Sequence, residues 1–231
     1  MGEFHFYSPD SLYIYLVIPA IIIAIWSQIK VKTAFSKYSS RRTGISGADA
    51  ARLVLEANGV KGVKIEQVSG SLTDHYDPRT NVIRLSESVY GAYNLSAVGV
   101  AAHEAGHAVQ YAYGYPAIKA RSVILPVCNL GSQLSLPLLV IGFIFNLHLL
   151  VKLGVIFFCA ALLFQLMTLP IEFNASKRAV KTVSESGILT DEKDIKALKK
   201  VLSAAAMTYV AALLVSLTQL IRLIAVSKRR R

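Results

Sequence analysis

Four runs of apolar residues leave few folds open to this chain. Leu12 to Trp26, Ser122 to Leu147, Leu149 to Leu169 and Val201 to Val226 carry almost no charge. A helix needs about 20 such residues to cross a bilayer, and a soluble domain of 231 residues has little interior in which to bury four of them. Composition agrees. Apolar residues make up 54% and charged residues 17%, and the mean hydropathy is +0.48. Yet Lys and Arg outnumber Asp and Glu 25 to 14, for a net charge of +11. A basic nucleic-acid binder or a disordered tail would be rich in charge and poor in apolar residues. The expected partner is therefore a lipid bilayer, with no nucleic acid.

Charge sets the expected topology. The first run, extended by Ser27 and Gln28, has Glu3 and Asp10 before it but no Lys or Arg, and no Ala-x-Ala site follows. A retained anchor is expected over a cleaved signal peptide. Lys30, Lys32, Lys37, Arg41 and Arg42 come next with no acid among them. By the positive-inside rule they place this loop in the cytoplasm, where they can also meet anionic headgroups. The second and third runs are separated by Asn146-Leu147-His148 and read as a transmembrane hairpin, kinked at Pro126 and Pro137. The fourth lies between Lys199-Lys200 and the Lys228 to Arg231 tail. Both flanks are basic, so a span with Arg222 snorkelling, a doubled-back helix and an interfacial helix all remain open. Cys128 and Cys159 sit inside apolar runs and are expected to be small buried hydrophobes.

Six stretches follow: a membrane anchor (1–28), a basic juxtamembrane linker (29–42), a catalytic domain (43–120), a transmembrane hairpin (121–170), a third-ligand helix with a cytoplasmic segment (171–200), and a fourth membrane helix with a basic tail (201–231). Within 43–120, Ser46 can cap a helix through Ala48 to Leu55 that closes at Asn58-Gly59. Val60 to Val68 reads as a strand. Leu72 to Tyr76 and Asn81 to Leu85 flank an Asp77-Pro78-Arg79-Thr80 turn and read as a hairpin. Leu95 to Tyr113 reads as a helix, capped by Asn94 or Ser96 and ended by Gly114 and Pro116.

That helix holds the chemistry. His103-Glu104-Ala105-Gly106-His107 is an HExxH motif. Two histidines four apart lie about 40° apart around a helix, so both imidazoles can reach one ion. Glu104 projects on nearly the same side as a candidate general base. A structural zinc site closes four positions, often with Cys, and no Cys lies nearby, so an open catalytic site is preferred. A third protein ligand is then needed. Glu172 is the only acid between Glu104 and Glu185. It can complete a His2Glu set, or it can be an interfacial carboxylate paired with Lys177 or Arg178. His75 is a rival third ligand. His5 and His148 fall on the outer side in this topology and are expected to be bland.

HEAGHAVQ, the 72–78 segment LTDHYDP, the 170–176 segment PIEFNAS and the 204–210 segment AAAMTYV together resemble the YugP-type membrane zinc metallopeptidases, the neutral zinc metallopeptidase family. The resemblance spans about residues 40 to 228. The Glu172 segment is also similar to the third-ligand helix of gluzincins related to HtpX and the CAAX-processing Ste24 enzymes. Those carry an acid four residues after the glutamate. Here that position is Ser176, so Asn174 or Ser176 is expected to orient a histidine instead. The resemblance implies a mainly α integral membrane protein: transmembrane helices plus a small α+β gluzincin-like zinc-peptidase domain with an HExxH helix and a β-hairpin. It implies Zn2+ as cofactor and endopeptidase chemistry, without naming a substrate.

On this reading His103, His107 and Glu172 hold zinc and Glu104 moves the proton. His75, Tyr76, Arg178 and Tyr209 are candidates for an oxyanion or substrate contact. In related gluzincins a strand like Asn81 to Ser86 takes substrate by strand addition, and a simple structural hairpin is the other reading of it. Peptide or membrane-protein substrates at the cytoplasmic face of a bacterial-type plasma membrane are expected of a multi-pass chain with this topology. A non-catalytic scaffold or holdase that keeps a zinc site, and a polybasic lipid- or partner-binding protein, are the alternatives from other classes. The intact Glu104 argues against the scaffold.

Overall fold

The computed structural model describes residues 9–229, which leaves the expectation for His5 outside the described residues. Seven helices and three strands follow in the order α1 (Pro9–Ser39), α2 (Gly47–Ala57), β1 (Lys64–Val68), β2 (His75–Asp77), β3 (Val82–Ser86), α3 (Glu87–Tyr90), α4 (Leu95–Ala112), α5 (Pro116–Ile144), α6 (His148–Glu185) and α7 (Glu192–Arg229). The chain divides into two compact units. One contains Met1–Ser27, Ala120–Leu169 and Thr208–Arg231; the other contains Gln28–Lys119 and Pro170–Met207.

The first unit holds most of the apolar sequence. Among the described residues, four helices are long and apolar enough to cross a membrane: Ile14–Ser39, Pro116–Ile144, His148–Glu185 and Glu192–Ser227. No more than 28% of the most apolar window of any of them is buried within the chain. So much unburied apolar surface suits lipid better than water. Small residues let α5 and α6 approach closely. A Cβ on Gly154 would meet Leu139 Cγ at 2.7 Å, and one on Gly142 would meet Val151 N at 2.8 Å. Ser135 donates to the Gly154 carbonyl at 3.0 Å. Such contacts are how helices associate where hydrophobicity cannot drive them together. Cys128 is buried, Cys159 is half-buried, and both are free thiols.

The second unit is the polar domain. Ser46 and Asp49 form a capping box: Asp49 N–H donates to Ser46 Oγ at 3.1 Å, and Ser46 N–H donates to Asp49 Oδ2 at 3.4 Å. This satisfies two of the amides that every helix start leaves open. Asn94 caps α4 in the same manner, taking the Ala97 N–H at 2.9 Å. α2 packs on α4, and buried Val54, Ile83, Leu85, Leu95, Val98 and Leu198 belong to one core. Each such side chain contributes about 1.5–3 kcal/mol. The 29–42 stretch is helical as far as Ser39. Beyond it, Arg41 forms ion pairs with Asp191 and Asp194 at the start of α7.

The sheet favours the structural one of the two readings of the 81–86 segment. Its order is β1-β3-β2, with β3 parallel to β1 and antiparallel to β2. The 82–86 strand is therefore central and buried, and both of its edges are paired. β1 lies along the whole of one edge and β2 along the other at Val82–Arg84, so the chain itself occupies the positions an added substrate strand would need there. The hairpin turn is as the sequence suggests. Thr80 Oγ1, the Arg79 amide and the Arg84 guanidinium donate to Asp77 and hold its carboxyl at about 2.

Candidate metal centre

α4 and α6 cross at the HExxH turn, and Gly106 sets their separation. A Cβ at Gly106 would lie 2.7 Å from the Ala175 carbonyl oxygen of α6. Any side chain would push the helices apart, whereas glycine lets the α6 backbone come against the turn that carries both histidines. Glu172 lies one turn before Ala175 and is thereby brought to the imidazoles.

His103, His107 and Glu172 gather their donor atoms within 4.8 Å of one another. Glu172 Oε2 is 3.2 Å from His103 Nε2 and 3.7 Å from His107 Nε2. The rings stand edge to face, with centroids 4.7 Å apart. Glu172 is buried, with a relative exposure of 6%. Its carboxylate faces the imidazoles, while Arg178 Nε donates to Asn174 Oδ1 at 2.8 Å.

The other nitrogen of each ring has an oxygen partner. His103 Nδ1 lies 3.1 Å from Ser176 Oγ, and His107 Nδ1 lies 3.0 Å from Gln110 Oε1. The Gln110 oxygen can only accept, so it fixes the proton of His107 on Nδ1 and leaves Nε2 free to ligate. Gln110 is fully buried, and its amide donates to the Ile171 carbonyl at 2.8 Å and to Asn174 Oδ1 at 2.9 Å. One side chain thus joins His107 to the α6 turn that bears Glu172. Burial pushes the His107 pKa down, but the Glu172 hydrogen bond and the charges of Glu104 and Glu172 outweigh it and hold the pKa above its ordinary value.

Two imidazole nitrogens and one carboxylate oxygen converge, and the far side of each ring is held by a neutral oxygen, Ser176 Oγ or Gln110 Oε1, where zinc-ligating histidines usually meet a carboxylate, carbonyl or water. The residues fit a zinc ion with three protein ligands. Glu104 is not part of the trio. Its Oε2 accepts the Tyr76 backbone N–H at 3.0 Å, so β2 lies against the HExxH helix.

The remaining candidates lie as follows. His75 is exposed, with Nδ1 2.8 Å from the Thr73 carbonyl, and is not in the trio. Tyr76 OH donates to Asn81 Oδ1 at 2.8 Å, and its ring meets Tyr111 edge-on at 5.5 Å. Arg178 donates to Asn174, which also takes the Gln110 amide, so it meets the centre at second hand. Tyr209 lies on α7 beyond the part that belongs to this unit. Gln110 is absent from the sequence-based candidates. Its signal was a lone amide three residues after His107 on an otherwise apolar stretch.

The sequence matches, over residues 13–228, the family described as "Putative neutral zinc metallopeptidase". The chain belongs to the neutral zinc metallopeptidase family. It is also similar to the "Putative membrane protease YugP" of Bacillus subtilis (strain 168), with 46% identity over 215 residues, or 92% of this chain and 95% of that protein. No solved structure matches the chain. Membership names Zn2+ as the cofactor, in agreement with the donor set, and the similarity and the four apolar helices make this a membrane protein.

Proposed function

We propose that the chain is a membrane-embedded zinc-dependent endopeptidase. The observation that carries this reading is the convergence of His103, His107 and Glu172, with the carboxylate of Glu104 one residue from a ligand and anchored by backbone instead of by the metal group. Zinc bound by the trio supplies a Lewis acid that polarises a peptide carbonyl and makes a water acidic, with a pKa of about 7. The protein's own residues do the rest. The Tyr76 amide anchors the Glu104 carboxylate through Oε2, and that carboxylate takes the proton of the attacking water. The same carboxyl then delivers it to the leaving amine. Ser176 and Gln110 keep both imidazoles turned with Nε2 toward the shared ion. Incubating the purified chain, reconstituted with zinc, with a membrane-anchored test peptide should yield new amino termini. Their absence with zinc bound would favour the scaffold reading.

Gln110 is a positioning residue in this scheme. Gln110→Leu removes the acceptor for His107 and strands the Asn174 and Ile171 oxygens. Partners of this kind typically affect metal affinity about 10–100-fold. Competition with a chromophoric chelator should show a loss in that range, and unchanged zinc affinity would remove Gln110 from the site.

The active site is assigned to the cytoplasmic side of a multi-pass chain. Five basic residues at 30–42 precede the polar domain, and two crossings return the chain to the same side three residues before Glu172. Substrates are accordingly membrane proteins or segments next to the membrane. A cysteine at exposed Ser71 should resist an impermeant reagent applied outside intact cells and react after lysis. Labelling from outside would overturn the topology.

A further inference from the structure

A groove of about 530 Å3 opens between α6 and α7 within the polar unit, on residues that the metal centre leaves unused except at Ser176. Its apolar lining comes from Phe173, Val180, Leu202 and Ala206. Lys177, Lys181 and Lys199 also line it, and all three are exposed. Glu185, 4.0 Å from Lys181, is the one acid among the lining residues. The groove therefore carries net positive charge over an apolar base. A single soluble anion would have no use for the apolar part, and an apolar segment would have none for the lysines. An amphiphile with a negative head uses both.

The sequence around it agrees. Phe173 follows the third apolar run by four residues, and on α7 the basic Lys199-Lys200 pair gives way to the fourth run. Both walls are built where apolar sequence meets charge, which is where a helix leaves a bilayer for the headgroup layer.

We infer that this groove binds an anionic phospholipid, with the headgroup phosphate among Lys177, Lys181 and Lys199 and the start of an acyl chain against Phe173, Val180, Leu202 and Ala206. The inference stands whether or not the chain is a peptidase, because its test reads lipid and not cleavage.

The full chain is reconstituted in nanodiscs of phosphatidylcholine with phosphatidylglycerol, released, and weighed by native mass spectrometry with its retained lipids. Phosphatidylglycerol should be enriched over its share of the bilayer. Each basic residue near an anionic surface is worth about fivefold, so Lys177→Gln/Lys181→Gln/Lys199→Gln should cut the enrichment by up to the order of 100-fold. A control, Lys193→Gln/Lys196→Gln/Lys200→Gln, removes equal charge from exposed α7 positions outside the groove and should change little. These lysines are all exposed, so folding should survive, and unchanged melting temperatures check it. Equal losses in both triples would mean only general surface attraction and would overturn the site. So would no loss in the groove triple. Displacement of the retained lipid by inorganic phosphate alone, or by an acidic peptide in preference to phosphatidylglycerol, would assign the groove to that ligand and overturn the inference.

Discussion

Glu104→Gln is expected to retain full zinc and to lose proteolysis by about 10²–10⁴-fold or more, the usual range for removing a general acid–base group. The geometry makes this a clean substitution. A glutamine oxygen can still accept the Tyr76 N–H that Glu104 Oε2 now takes at 3.0 Å, so β2 should stay in place against α4. The amide has no basic oxygen left to receive a proton. Glu104 also stands outside the His103, His107 and Glu172 trio, so metal content should not fall. Metal analysis and a cleavage assay on the same purified sample read both halves. Near-normal cleavage would remove Glu104 from the reaction. Loss of zinc would make it a ligand.

Glu172→Ala should lose zinc, whereas Glu185→Ala and His75→Ala should keep it. Glu172 Oε2 is the one carboxylate oxygen in the trio, and it is buried between the two imidazoles. Removing a ligand should weaken binding beyond the about 10–100-fold typical of an outer partner. Glu185 lies at the exposed end of α6, 4.0 Å from Lys181, and His75 faces its own loop at Thr73. Full zinc in Glu172→Ala with loss in His75→Ala would transfer the ligand role to His75.

How much could be read without coordinates depended on the range of each interaction. The caps at Ser46 and Asn94 act within three residues, so sequence alone finds them. The histidine pair is fixed by helical period. Glu172 was legible by scarcity, because no other acid lies between Glu104 and Glu185. What escaped depended on distant partners. β1 pairs with β3 in parallel across an intervening strand, and no local pattern reveals that β3 is the centre of the sheet. The apolar run could be seen to stop at Leu169, but α6 continues through Pro170 to Glu185 as one helix. Proline removes a single amide there. Gln110 escaped because a neutral amide draws no attention until its partners on α6 are known. Gly106 stood inside the motif, but its reason, the carbonyl of Ala175, lies 69 residues along the chain.

The most direct test is zinc-edge X-ray absorption combined with metal analysis of the purified full chain. The expected result is a single zinc per chain with only nitrogen and oxygen donors, two of them imidazoles, and loss of that signal in His103→Ala. A sulfur donor, a chain that takes up no zinc, or an unchanged spectrum in His103→Ala would contradict a centre built from His103, His107 and Glu172.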